Sequence, residues 1–468
     1  MSAELKNEDK PHLSVVITGH VDAGKSTVTG RLIFEMGGIP ERDMKKLEEE
    51  ADALGKSSFK FAFFMDKTKE ERARGITIIC TTKEFFTPKY HYTIIDAPGH
   101  RDFLKNMLSG ASQADVGVLM IPADGGFGTA IAQGDHKAGE VQGQTRQHAR
   151  LLNLLGVKQL IIGVNKMDEA TAGYSESRFN EIRDEMRSML CKVGWPKKFV
   201  TENVPIIPIS GWQGDNLMTK SENMAWWKGC DVKMPGTETS VHLDTLHDCL
   251  DKFASVPKRK TTGPLRVPIS GCFNLPGKGT IVTGRVETGT LLPGSEVRFL
   301  PVDTPSLACT GKVFSIEMHH RPAQSATAGD NVGMCIKGLS KENMPSQGCI
   351  MVLADDKTIG TVKKFTAQVQ VLDHPNELKV GYTPLAMVRT SKSAVKLTEI
   401  VWKSGKETNN QKVKNPPCLK SNDMAELVFE PQQPFVVEKF DLTEGLGRIG
   451  ILEGPTILML GKVINVEY

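Results

Sequence analysis

The stretch that most constrains this chain is residues 19–27, Gly-His-Val-Asp-Ala-Gly-Lys-Ser-Thr. An apolar run at 13–17 precedes it and reads as a buried strand, while 28–36 reads as the opening of a helix. Strand, glycine-rich turn and helix together form the setting of a phosphate-binding loop. Such a loop turns backbone N–H groups toward phosphate oxygens, and the helix N-terminus adds its positive dipole end. Asp22, Ala23, Gly24, Lys25, Ser26 and Thr27 are therefore candidate nucleotide contacts. The Lys25 ammonium can reach the outer phosphates, and the Ser26 hydroxyl can ligate Mg²⁺. The loop alone says nucleotide phosphate; it names neither the base nor the purpose.

At 468 residues the chain is too long for one hydrophobic core. Up to about residue 255, strand candidates (14–18, 92–96, 116–122, 159–165, 206–209) alternate with helix candidates (27–36, 101–110, 145–155, 175–193, 241–253). That alternation predicts a mostly parallel sheet with helices on both faces, an α/β domain. Ligands of such sheets bind beyond the carboxyl ends of the strands. Residues 40–75 interrupt the pattern with two charged, helix-prone stretches flanking an aromatic patch, Phe59 to Phe64, which reads as a lid or a helical decoration. Residues 123–143, rich in Gly and Ala, read as a long surface loop. After Pro257 short alternating runs and Gly/Pro turns predict one or two small β-barrels. A second break near 355–360 gives three domains, 1–255, 256–358 and 359–468.

Three motifs downstream of the loop name the nucleotide. Thr77 closes Arg-Gly-Ile-Thr and can complete Mg²⁺ coordination when a γ-phosphate is present. Taken alone it is only a β-prone residue. In Asp96-Ala-Pro-Gly99-His100, Asp96 is placed to hold Mg²⁺, the Gly99 N–H to sense the γ-phosphate, and His100 to position the attacking water. In Asn165-Lys166-Met-Asp168, the Asp168 carboxylate can accept from the N1–H and 2-amino group of guanine, a pair adenine lacks. Asn165 would brace the loop, and the Lys166 stem can cover the base. Ser210-Gly211-Trp212 would add a backbone contact to the guanine oxygen. Order and spacing together predict a GTPase.

Residues 19–22, 74–77 and 96–103 resemble the translational GTPases, and the similarity runs along essentially the whole chain. The chain is similar to the elongation factor 1 alpha and elongation factor Tu family. Residues 142–148 and 224–228 look closest to its elongation-factor-1-alpha-like branch of eukaryotes. The resemblance implies a P-loop GTPase domain followed by two all-β barrel domains. It implies binding of GTP and GDP with Mg²⁺, and delivery of aminoacyl-tRNA to the ribosomal A site. It implies a guanine-nucleotide exchange factor as a further partner, a monomer, and a catalytic role for His100. Lys105 and Asn106 match the family's contact near the tRNA 5′ end, and Glu317 the one beside the terminal ribose. His319 or His320 would lie near the aminoacyl pocket, and Lys337 would face the acceptor end. Relatives usually have an arginine where Ser346 and Gln347 precede Gly348, and often an aspartate where Ile79 and Cys80 stand.

Independently, residues 389–420 carry eight basic residues, among them Arg389, Lys403 and Lys420, against only Glu399 and Glu407. Clustered basic charge suits a phosphate backbone, and in this family the third domain faces the tRNA stem. The net charge of +3 is too small to argue for nucleic acid by itself. Nine cysteines without a Cys-x-x-Cys pair suggest neither a zinc site nor a disulfide framework. The polar N-terminus lacks a signal-peptide core, and no apolar run reaches a membrane span, so a cytoplasmic protein with no membrane partner is expected. Two other functions fit a GTPase of this shape. One is a termination or ribosome-rescue factor carrying a protein that mimics tRNA, and the other is the regulatory subunit of a metabolic enzyme.

Overall fold

The computed structural model describes residues 10–66, 68–74, 77, 81–100, 107, 114–132, 143–275, 277, 279–318, 321–339, 342–372, 376–454 and 456–468. The chain divides into two compact units, Met1–Pro257 and Lys258–Tyr468. In the first, β1 (His12–Gly19), β2 (Thr81–Phe86), β3 (His91–Asp96), β4 (Val116–Pro122), β5 (Gln159–Asn165) and β6 (Ile206–Pro208) form one sheet in the order β2-β3-β1-β4-β5-β6. Every pairing is parallel except β2 with β3. The central strands β3, β4 and β5 are buried along their whole length, as expected of parallel strands covered on both faces. The chain order reverses beside β1, since β3 lies on one side of it and β4 on the other. A crevice opens at such a switch point, beyond the carboxyl ends of the strands.

Among the described residues, the helices of this unit include α1 (Lys25–Glu35), α2 (Glu41–Ala53), α3 (Ala62–Met65), α4 (Lys69–Arg74), α5 (Phe127–Ile131), α6 (Gln144–Leu154) and α7 (Glu176–Lys192). The long insertion is thus helical, and its aromatic patch supplies α3 and the 3₁₀ turn Ser57–Phe59. Two expectations change. The stretch expected as a long loop, 123–143, contains α5, with Phe127 and Ala130 buried. The helix expected at 241–253 begins instead as a strand, Ser240–Leu243, paired with Cys230–Lys233. Helix follows only from Leu246, where the Thr245 hydroxyl caps it by accepting from Asp248 N–H. The helix expected at 101–110 lies outside the described residues, apart from the buried Met107.

Among its described residues the second unit is all β, with only the short turns Lys406–Thr408 and Glu444–Gly447 as helix. Strands Glu296–Leu300, Ile350–Leu353, Val267–Leu275, Gly279–Arg285, Asn331–Lys337 and Thr310–Met318 pair in that circular order, the last closing on the first. A second ring runs Leu385–Val388, Arg448–Glu453, Thr456–Glu467, Lys364–Val371, Met424–Pro431 and Ser391–Ser404, and closes in the same way. Closure leaves neither barrel a long free edge. The rings are not independent, because Leu300, Ile350 and Val352 of the first belong to the apolar core of the second.

Arg266 sits in this junction with its side chain fully buried. Nη1 donates to Asp356 Oδ2 (2.5 Å) and the Leu265 carbonyl (3.0 Å). Nη2 donates to the Thr358 hydroxyl (3.0 Å) and Glu438 Oε1 (2.9 Å), and Nε also donates to Glu438 (3.2 Å). All five guanidinium N–H groups are used, which is what burial of an arginine demands. Removing one carboxylate strands a buried charge. Glu438→Ala is expected to destabilise this unit by about 3–5 kcal/mol in chemical denaturation. Replacing Arg266 and both carboxylates by apolar residues of similar volume should cost less.

Candidate functional site

The phosphate loop joins β1 to α1 at the crevice. Gly24 adopts the left-handed conformation (φ 80°) that starts α1, and a Cβ there would meet Asn165 Nδ2 at 2.3 Å. Two side chains of α6 hold the loop from behind. Gln144 Oε1 accepts from Val21 N–H (3.1 Å), and His148 Nδ1 accepts from Gly19 N–H (3.1 Å) and from the Thr18 hydroxyl (2.8 Å). Burial, then the Lys25 and His20 charges, push the His148 pKa down to about 3, so the ring stays a neutral acceptor. Lys25 is buried and donates to the His20 carbonyl at 2.7 Å. Burial lowers its pKa, opposed by Asp96, Asp22 and Asp66.

Beside the loop, oxygens crowd together. Ser26 Oγ lies 3.1 Å from Thr77 Oγ1, which donates to Asp66 Oδ1 at 3.1 Å. Asp96, at the end of β3, is fully buried, and neither of its carboxylate oxygens has a hydrogen-bond partner among the described residues. Burial raises its pKa to about 6, against the opposing pull of the Ser26 hydroxyl and Lys25. Burial and the neighbouring Asp96 likewise raise Asp66 to about 7, although its bond from Thr77 works the other way. Orphaned carboxylate oxygens beside two hydroxyls are the donor set a hard divalent cation takes. Ser26, Thr77 and Asp96, the residues expected from the motifs, are therefore brought together, and the residues present fit such an ion. Asp66 is an addition. Nothing in its local sequence marks it, because it reaches the site only when the insertion folds back. Gly99 is packed here too: a Cβ would fall 2.5 Å from Lys25 Nζ. His100 follows it, half-buried in the turn after β3.

At the other end, Asn165 ties two loops together: its Nδ2 donates to the Ala23 carbonyl (2.9 Å) and its Oδ1 accepts from Gly211 N–H (2.8 Å). Lys166 adopts a positive φ of 66° and pairs with Asp124 at 2.8 Å. That pairing holds the Asp124 pKa below its usual value despite burial, which raises it. Ser210 is buried, and its hydroxyl accepts from Gln213 N–H (2.9 Å). One cavity of about 560 Å³ spans both ends. It is lined by Asp22, Gly24, Lys25, Ser26 and Thr27 of the loop, by Asp66, Thr77 and Gly99, and by Asn165, Lys166, Asp168 and Trp212. Its size suits a small organic ligand.

The positions expected to meet tRNA lie elsewhere. Lys105, Asn106, His319 and His320 are outside the described residues. Glu317 is exposed on the strand Thr310–Met318. Lys337 stacks its ammonium 3.3 Å from the Phe314 ring centroid. Phe314 (59% exposed) and Phe273 (56%) stand uncovered in the same barrel, and neither was singled out from sequence. Arg389 is half-buried and pairs with Glu287 at 2.7 Å, linking the two barrels. The basic run is further reduced by a buried pair of Lys403 with Asp423 (3.2 Å) and a pair of Lys420 with Glu407 (2.8 Å). Lys392, Lys396, Lys406, Lys412 and Lys414 remain exposed.

The glycine-rich loop, the edge formed by Thr77, Asp96 and Gly99, and the Asn165–Asp168 loop meet at one end of a mostly parallel sheet, the arrangement of a GTPase. Residues 10–255 match the family model of the elongation factor Tu GTP binding domain. Residues 279–352 match elongation factor Tu domain 2, and 364–464 the GTP-eEF1A C-terminal domain-like model. The chain is 40% identical over 462 residues to elongation factor 1-alpha of Hyperthermus butylicus, covering 98% of each chain. It is 41% identical over 462 residues to elongation factor 1-alpha of Onchocerca volvulus, covering 98% of this chain and 95% of that one. Among solved structures, the S. cerevisiae Ski7 GTPase-like domain bound to GTP shares the fold, with a TM-score of 0.74 at 18% identity over 97% of each chain. The chain belongs to the elongation factor Tu/elongation factor 1-alpha family of GTPases. The eight described cysteines are free, and no described helix is long and apolar enough to cross a membrane.

Asn165→Ala would leave the Ala23 carbonyl and Gly211 N–H buried without partners. GDP affinity, measured by calorimetry, is expected to fall by about ten-fold or more.

Proposed function

We propose that this chain carries aminoacyl-tRNA to the ribosome in its GTP form and lets go after hydrolysis. The observation that carries the reading is full-length similarity to proteins named elongation factor 1-alpha, combined with Thr77 and Gly99 lining one cavity with the loop beside the buried Asp96. The same similarity favours elongation over termination, rescue or a metabolic role. Asp168 would read the guanine edge, with Asn165 bracing its loop and Gly211 offering backbone to the guanine oxygen. Ser26, Thr77 and Asp96 would hold Mg²⁺, which when bound neutralises charge on the outer phosphates. His100 would orient the attacking water. This histidine is half-buried and directly follows Gly99, which lines the cavity.

For the RNA, Lys105 and Asn106 would meet the 5′ end. Glu317, His319 and Lys337 would meet the acceptor end, where the exposed rings of Phe273 and Phe314 add stacking surface. The tRNA stem falls to the exposed lysines from Lys392 to Lys414 rather than to Arg389, whose guanidinium is engaged by Glu287. Partners are thus aminoacyl-tRNA, the ribosome and an exchange factor, for a monomer working in the cytoplasm.

Spontaneous hydrolysis of the aminoacyl ester tests the whole reading. The GTP form is expected to slow it and the GDP form to leave it unchanged; no protection by either form would falsify the proposal. His100→Ala should keep GTP affinity within about two-fold while reducing ribosome-stimulated hydrolysis by at least about a hundred-fold in single-turnover assays.

A further inference from the structure

The insertion and the guanine-side loop are joined by a cluster that the nucleotide chemistry does not require. Residues 57–66 contribute Ser58, Phe59, Ala62 and Asp66 to the cavity wall, so this segment covers one flank of the nucleotide. It sits directly on α1: a Cβ at Gly30 would lie 2.0 Å from the Phe61 carbonyl oxygen. The Phe61 ring is buried and meets the Trp212 ring edge-on, centroids 6.4 Å apart. The Lys60 ammonium lies 5.5 Å from the Phe61 centroid and 5.7 Å from that of Trp212, and Glu48 holds it at 2.8 Å. Arg31 of α1 lies 5.2 Å from the Phe61 centroid and also donates to the Trp212 carbonyl. Phe34 closes the group 5.9 Å from Phe61.

We infer that Trp212 and Phe61 are positioning residues of a latch, in which the side chain of the guanine-side loop clamps residues 57–66 over the nucleotide and slows its escape. The chemistry fits a contact that opens and closes. Trp212 is 38% exposed, so separating the rings wets an indole already partly hydrated. Two cations over aromatic faces add attraction without a dry interior. Asp66 lies on the latched segment, and it receives the hydrogen bond of Thr77. Opening the latch therefore also loosens the oxygen cluster at the phosphate end. One loop thus serves the base with its backbone and the opposite flank of the cavity with its side chain. The inference rests on the nucleotide site and is independent of what the GTPase carries.

The test follows release of a fluorescent GDP analogue from the full chain, chased with excess GDP. Trp212→Ala and Phe61→Ala are each expected to speed release by about ten-fold, and Trp212→Phe to restore most of the slow rate. Because the two rings act through one contact, the double variant should be no faster than the faster single. Lys60→Met, which keeps the stem and lacks the charge, should speed release several-fold. It stands in if Phe61→Ala fails to fold, which unfolding midpoints in saturating GDP will reveal. Unchanged release from Trp212→Ala, or effects that multiply in the double variant, would overturn the latch.

Discussion

A buried ammonium beside buried carboxylates that lack their full set of partners is the constraint around which the first unit is built. Lys25, Asp96 and Asp66 share a desolvated corner, and burial works against the charged form of each. Such a corner is costly unless something supplies the missing charge and donors. Under the proposed function a nucleotide phosphate with its cation would be that complement, bringing negative oxygens to the lysine and positive charge to the aspartates. The protein keeps the corner open by fixing its walls from outside. Gln144 and His148 hold the loop backbone, and Asn165 spans from the loop to residue 211. The loop backbone is therefore held from two sides, by α6 and by Asn165.

The sheet makes this possible at little expense in sequence. Gly19, Asp96, Asn165 and Ser210 stand at or just past the ends of β1, β3, β5 and β6, four of the five strands that run parallel across the sheet. One architectural decision thus aligns residues that are far apart in the chain. Each strand end contributes one function, and the intervening helices are free to take on other work, as α6 does behind the loop.

Much of this was legible beforehand, for identifiable reasons. The limits of β4 and β5 fall where the apolar runs stop and turn residues begin, because strands buried on both faces leave no room for a polar interior. The phosphate loop, Thr77, Asp96, Gly99 and Asp168 were readable because each sits in a short motif whose chemistry is local. What was not legible depends on the chain folding back. Asp66, His148 and the meeting of Phe61 with Trp212 have no local signature; their partners are distant in sequence. The strand at Ser240–Leu243 reads as helix in the sequence because apolar spacing alone does not register the turn that pairs it with Cys230–Lys233. The basic run misled in part, since charge counted along a sequence does not reveal that Arg389, Lys403 and Lys420 are answered by acids across a barrel or a turn.

Arg266 changes the meaning of the stretch between the barrels. Asp356 and Thr358 belong to a segment rich in charge and turn residues, the composition of a flexible tether. Yet both are ligands of a guanidinium that water does not reach, and Glu438, on the far side, is a third. Bending there would leave that charge unanswered in an apolar surround. The segment that looks most like a hinge is a keystone, and whatever articulation the second unit undergoes must carry both barrels as a single piece.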